Sequence, residues 1–290
     1  MIVVCIPAFN EEKKIEKVIK LALTYSDKVI VCDDGSTDDT SKIAESSGAF
    51  VIKHKKNQGK GSALRSLFNY VLNSEGDIIV TIDGDGQFLP EEIPKLIEPI
   101  SKNNFDIVIG YRFDSSTQMP FYRKFGNRIL DQMTNLASEL PFRDTQSGFR
   151  SYSRNALKQI KFSTNGFASD SEILINASRK KLRITETKVT VIYQTGEKTS
   201  TKNPISHSSE VIVSLVELIA LKHPLKFIGI PGIILICFGI VFSIIVLTMF
   251  NETRYFSVPY TLVSIGTLIV GVLFLLMSIL LFSISLTNRK

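Results

Sequence analysis

The 290-residue sequence has only three histidines and three cysteines, and the histidines are isolated from one another. Cys5, Cys32 and Cys237 show neither metal-ligand spacing nor a disulfide framework, which excludes zinc sites and redox dithiols as organising features. The larger absence is of charge. Residues 227–290 carry only Glu252, Arg254, Arg289 and Lys290, so 31 of the 34 basic and 27 of the 28 acidic residues lie in residues 1–226. The front block is charge-rich with a net +4, and the tail is almost uncharged. With 44% hydrophobic residues the chain is not disordered, and a soluble domain has little use for such a tail. The +4 is dispersed and Lys53–Lys56 is a short basic run, so nucleic acid is excluded as a partner.

The tail reads as two membrane spans. Ile228 to Phe250 is a stretch of 23 uncharged residues, as a helix about 34 Å long against a hydrocarbon core of about 30 Å. A second stretch is densest between Leu262 and Leu286, and Asn251–Arg254 between them is too polar for lipid. The spans are expected at about 228–250 and 260–286. Lys222 and Lys226 before the first, with Arg289 and Lys290 after the second, place both termini in the cytoplasm of a multi-pass cell-membrane protein. Met1–Ile6 has no basic leader and reads as a first strand, so the charged block is expected on the cytoplasmic side with its free thiols. Apolar residues from Val211 to Leu221 recur at helical spacing and Pro224 ends them, which predicts an amphipathic interfacial helix. The expected division is residues 1–204, 205–226 and 227–290.

The charged block alternates strand and helix patterns. β-Branched runs fall at Ile2–Ile6, Lys28–Cys32, Phe50–Lys53, Asp77–Ile82 and Asp106–Gly110. Helical faces built on Ile15–Leu23, Leu64–Leu72 and Leu96–Ile100 lie between them. The alternation predicts an α/β fold with a doubly wound, mostly parallel sheet, whose ligands bind at the carboxyl ends of the strands.

Acids cluster at those ends. The first strand runs into Pro7-Ala8-Phe9-Asn10-Glu11, the second into Asp33-Asp34-Gly35-Ser36, and the fourth into Asp83-Gly84-Asp85-Gly86-Gln87. Carboxylates gathered this way repel unless donors or a cation offset them. A hard divalent ion held by one or two carboxylates, a neutral oxygen and substrate phosphates meets that need. Asp33–Ser36 also has the form of a turn and helix cap. Asn57-Gln58-Gly59-Lys60-Gly61 reads either as a turn opening a helix or as backbone N–H groups and Lys60 presented to a diphosphate.

In this order the motifs resemble glycosyltransferase family 2, and most closely its polyprenyl-phosphate group, the group that contains dolichyl-phosphate mannose synthase. Asp144-Thr145-Gln146-Ser147-Gly148-Phe149-Arg150 completes the set, and the resemblance covers about residues 1–200. It implies a GT-A type fold followed by the interfacial helix and membrane hairpin. It implies that Pro7, Ala8, Phe9, Asn10, Glu11, Asp33, Asp34, Lys60, Asp83, Gly84, Asp85 and Gln87 bind a nucleotide sugar. Mg²⁺ or Mn²⁺ would sit on Asp83, Asp85 and Gln87. Arg112, Arg123, Lys124, Ser147, Arg150 and Lys198 would meet an acceptor phosphate, with Asp83, Asp85, Arg112 and Arg123 catalytic. Phe9 stands where tyrosine is common, and Tyr193–Ser200 lacks an arginine that mannose synthases tend to carry, leaving sugar and base open.

The implied reaction is inverting transfer of a sugar from a UDP- or GDP-linked donor to a polyprenyl, dolichyl-type phosphate. The lipid-linked sugar would serve glycoconjugate or protein glycosylation. A processive synthase of the same superfamily usually has a Gln-x-x-Arg-Trp motif, and this chain has no tryptophan. A sugar nucleotidyltransferase would have a glycine- and arginine-rich N-terminal loop, which is missing. A membrane-anchored, non-enzymatic accessory with a degenerate transferase domain is the remaining alternative. The hairpin can pack with copies of itself as a homo-oligomer or merely anchor.

Overall fold

The structure, a computed structural model, describes residues 1–112, 121–163, 169–192 and 224–287. The chain divides into two compact units, Met1–Leu215 and Val216–Lys290.

The first unit is built on a seven-stranded sheet of order β3-β2-β1-β4-β6-β5-β7. Five of its strands fall on the expected runs: β1 Ile2–Ala8, β2 Lys28–Asp33, β3 Phe50–Lys53, β4 Ile78–Thr81 and β5 Ile107–Tyr111. Two more, β6 Arg150–Ser153 and β7 Ile184–Lys188, were not foreseen. β6 runs antiparallel between β4 and β5, and the other pairings are parallel.

Alternation along the strands feeds two cores, one on each face. Val3, Cys5 and Ile30 point into a cluster with Leu64, Leu67 and Val71 of helix α3 (Lys60–Leu72). Val4, Ile6 and Val31 point the other way, toward Ile15 and Ile19 of α1 (Ile15–Thr24), Ala44 of α2 (Thr40–Ser46) and Leu96 of α4 (Ile93–Asn103). Helices α5 (Phe121–Ser138), α6 (Arg154–Gln159) and α7 (Ser169–Arg179) complete this unit among the described residues. Burial on both faces is why β1, β2, β4 and β5 read as near-continuous apolar runs.

In the second unit a π-helical turn at Leu225–Gly229 leads into α8 (Ile230–Thr253), and α9 (Val258–Thr287) returns beside it. Both helices are long and apolar enough to cross a membrane. The expected polar link is shorter than its sequence suggests: Asn251–Thr253 form the last turn of α8, and Arg254 ends it in a left-handed conformation. The two helices meet along small residues. A Cβ on Gly232 would come 2.9 Å from the Gly271 carbonyl, and one on Gly239 would come 2.7 Å from Leu268. Ser264 Oγ donates to the Gly239 carbonyl at 2.9 Å and lies 2.6 Å from Ser243 Oγ. The expected interfacial helix lies outside the described residues but for Pro224–Lys226.

Candidate active site

The carboxyl ends of β1, β2 and β4 converge as the alternating fold requires, and the first two loops brace one another. Asn10, in a left-handed conformation at φ 57, accepts the Thr37 N–H at 2.9 Å. The Asn10 N–H reaches Ser36 Oγ at 2.9 Å, and the Glu11 N–H reaches Thr40 Oγ1 at 2.8 Å. Asn10 therefore ties loop to loop.

The two aspartates of the second motif have different tasks. Asp33 is fully buried; its Oδ1 accepts the Ser36 N–H at 2.8 Å, while Oδ2 has no hydrogen-bond partner among the described residues. Asp34 is occupied. It accepts the N–H groups of Gln58 (3.0 Å) and Gly59 (2.7 Å), and His54 Nδ1 lies 2.6 Å from its Oδ1. His54 Nε2 lies 2.8 Å from Ser66 Oγ on α3. His54 was missed in the sequence; its place one residue past β3, beside the end of β2, was the available signal. Gly35, at φ +74, lets this loop touch the next: a Cβ there would come 2.7 Å from the Asn57 nitrogen.

Asp34 thus fixes the turn that opens α3, and Lys60 follows directly. Its Nζ lies 2.9 Å from Asp83 Oδ1 and 3.2 Å from Asp170 Oδ2. Burial alone would lower the ammonium's pKa, but Asp170 and Asp83 outweigh it and hold the group charged. Gly148 closes against this pair: a Cβ on it would come 2.6 Å from Lys60 Nζ and clash with the Asp83 carboxylate.

Asp85 accepts the Gln87 N–H at 3.0 Å. Burial, and then the neighbouring Asp83, push its carboxyl up to about 6. Glu11 is pushed up to about 7, first by burial and then by Asp85, with Asp83 and Asp38 adding to it. Such mutual repulsion is what a cation relieves, and the donors are hard oxygens, so the set fits Mg²⁺ or Mn²⁺. Among the described residues no three His, Cys, Asp or Glu side chains converge as a ready-made cage. Further ligands would then come from Gln87, water or substrate phosphates.

The acceptor-side expectations need correction. Arg150 is fully buried and donates to the carbonyls of Ser147 (2.8 Å), Asp170 (2.8 Å) and Thr145 (2.7 Å). It holds the 144–150 loop together and is not presented to an acceptor phosphate; Ser147 is buried with it. Arg112 makes a two-pronged pair with the buried Asp144, Nε to Oδ2 at 2.6 Å and Nη2 to Oδ1 at 2.8 Å. Its charge is thereby directed first to that loop. Asp131 of α5 supports the same loop, accepting from the N–H and hydroxyl of Thr145 at 2.8 and 2.7 Å. Arg123 and Lys124 fall in α5, with side chains outside the described ones, and Lys198 lies outside the described residues.

Acids gathered at the carboxyl ends of a doubly wound, mostly parallel sheet mark those ends as the candidate active site of an α/β enzyme. Residues 3–161 match the family model described as Glycosyl transferase family 2, and the chain belongs to that family of glycosyltransferases. It is 33% identical over 216 residues to the UDP-N-acetylglucosamine–dolichyl-phosphate N-acetylglucosaminyltransferase of Methanococcus voltae, covering 67% of this chain and 86% of that one. It is 33% identical over 194 residues to the dolichol-phosphate mannosyltransferase of Pyrococcus furiosus, covering 62% and 53%. Among solved structures, glucosyl-3-phosphoglycerate synthase of Mycobacterium tuberculosis with Mn²⁺ and UDP-glucose superposes with a TM-score of 0.61 at 25% identity, covering 76% and 79%. The GT-A type fold expected from the motifs is the one found.

Proposed function

We propose that this glycosyltransferase moves a sugar from a nucleotide diphosphate sugar, UDP- or GDP-linked, to a polyprenyl phosphate in the cell membrane. The observation that carries the reading is the union in one chain of a strand-end carboxylate pair, Asp83 and Asp85, with two helices apolar enough to cross a bilayer. The names of these two relatives support a dolichyl-type acceptor. A polyprenyl chain stays in the bilayer, so an enzyme tethered there meets its acceptor at a raised effective concentration. Cytoplasmic termini agree with the basic residues flanking the spans.

The Pro7–Glu11 and Asp33–Ser36 loops would hold the nucleoside, with the unpartnered Asp33 Oδ2 as an acceptor for one of its N–H or O–H groups. Mg²⁺ or Mn²⁺ on Asp83 and Asp85, with Gln87, would offset the charge that gathers on the departing diphosphate. The acceptor phosphate is ionised at neutral pH and needs no strong base. Its direct attack inverts the anomeric carbon. Arg123, Lys124 and Lys198 are the cations proposed to hold that phosphate, by charge-assisted hydrogen bonds. Arg112 and Arg150 would act on it through the 144–150 loop.

The test uses the full chain in detergent with a short polyprenyl phosphate, Mn²⁺, and a panel of UDP- and GDP-sugars. Lipid-dependent transfer from one donor, lost in Asp85→Ala, is the expected result. Donor turnover that ignores the lipid, or transfer that survives Asp85→Ala, would overturn the reading.

A further inference from the structure

Lys60 occupies an unusual position between two acids of different standing. Asp83 sits at the mouth of the site, with a side chain 27% exposed, and pairs with the Lys60 ammonium at 2.9 Å. Asp170, on the first turn of α7, is only 5% exposed and pairs with the same ammonium at 3.2 Å. Lys60 itself is 11% exposed. Asp170 cannot drift away, because its backbone carbonyl accepts from the buried Arg150 at 2.8 Å. Gly148 packs against Lys60 and Asp83.

An ammonium buried this deeply needs a partner. A second carboxylate on Lys60 lets Asp83 be given up to a divalent cation while the ammonium stays paired. Asp170 is that carboxylate.

We infer that Lys60 and Asp170 set how readily the site takes its metal: Lys60 holds Asp83 while the site has no cation, and Asp170 keeps Lys60 paired when Asp83 is released. Asp170 is thus a positioning residue that acts through Lys60. The inference rests on the metal reading of Asp83 and Asp85 given above.

Simple through-space charge would also make loss of Lys60 tighten metal binding and loss of Asp170 weaken it. The two accounts part in the double variant. If Asp170 acts only through Lys60, removing it matters only while Lys60 is present; if its charge acts directly on the metal, the two effects add.

The experiment measures Mn²⁺ binding to the full-length protein in detergent, without nucleotide, from the electron paramagnetic resonance signal of free Mn²⁺. Lys60→Met is expected to bind about tenfold tighter than the unaltered chain and Asp170→Asn about tenfold weaker. The double variant should match Lys60→Met. A double variant weaker than Lys60→Met by the full Asp170→Asn factor would overturn the inference, as would Lys60→Met binding no tighter than the unaltered chain. Asp170→Glu, which keeps the charge, should retain the original affinity. If Asp170→Asn does not fold, Asp170→Ser takes its place in both the single and the double variant. Failure of the unaltered chain to bind Mn²⁺ would instead overturn the metal reading itself.

Discussion

Asp131 offers a quantitative test of how the 144–150 loop is supported. Its side chain is almost wholly buried and accepts two hydrogen bonds from Thr145 through one oxygen. Burial, and then the charge of Asp144, push its carboxyl up to about 7, despite those two bonds and Arg112 pulling the other way. An unfolded aspartate titrates near 3.9, so the gap of about 3 units corresponds to roughly 4 kcal/mol. The sign follows from linkage. A carboxyl with a raised folded pKa favours the native state fully below about pH 4, and that contribution drains away as pH climbs to about 7. Asp131→Asn keeps an oxygen for Thr145 and removes the titration. The variant should therefore gain about 1.5 kcal/mol over the parent at pH 5 and about 4 kcal/mol at pH 8. For a unit of this size that is a rise of about 10 °C in the unfolding midpoint at the higher pH. Tyrosine emission is a suitable probe, because tryptophan is absent and six of the eight tyrosines lie in residues 1–215. A variant no more stable than the parent at pH 8, with the same dependence on pH, would refute the reasoning.

Two further outcomes test other parts of the molecule. Gly148→Ala should lower sugar transfer by about 100-fold while leaving the far-ultraviolet circular dichroism intact, because the added methyl forces Lys60 and Asp83 apart. In the membrane unit, Ser243→Cys with Ser264→Cys, in a Cys237→Ser background, should cross-link readily since the native hydroxyls lie 2.6 Å apart. Adding Gly239→Leu should abolish that cross-link by prising the helices apart; a cross-link undiminished by it would refute the close seam.

β1, β2, β4 and β5 were legible because each is buried on both faces and reads as a β-branched run, and β3, a half-exposed edge, because Val51 and Ile52 keep that pattern. β6 and β7 were not, for different reasons. β6, Arg-Ser-Tyr-Ser, looks polar yet lies inside the sheet, since the Arg150 donors are satisfied by three backbone carbonyls and Ser151 donates to the Leu96 carbonyl at 2.6 Å. β7 is a half-exposed edge of alternating polar residues. The same blindness affected the site. Asp83 and Asp85 stand out as a motif, but a charge such as Arg150 reads as a phosphate ligand when its true partners are main-chain atoms. His54 and Asp170 escaped notice because their partners, Asp34 and Lys60, lie 20 and 110 positions away and meet only when the sheet and its helices are assembled. The small-residue seam of α8 and α9 was hidden for a related reason: in an apolar stretch, glycine and serine read as interruptions until the facing helix is in place.

The grip of Asp34 on the Gln58 and Gly59 N–H groups falls on main-chain atoms, which every residue but proline supplies at position 58. The exposed side chains of Asn57 and Gln58 can therefore be exchanged at the cost of little more than a 3.3 Å bond between Ser62 and Gln58, while the loop keeps its path. Randomising those two positions with Asp34, His54 and Gly59 held constant would yield a library of well-folded proteins. In that library the loop that leads into Lys60 varies on a fixed frame, and the carboxylate pair is left untouched.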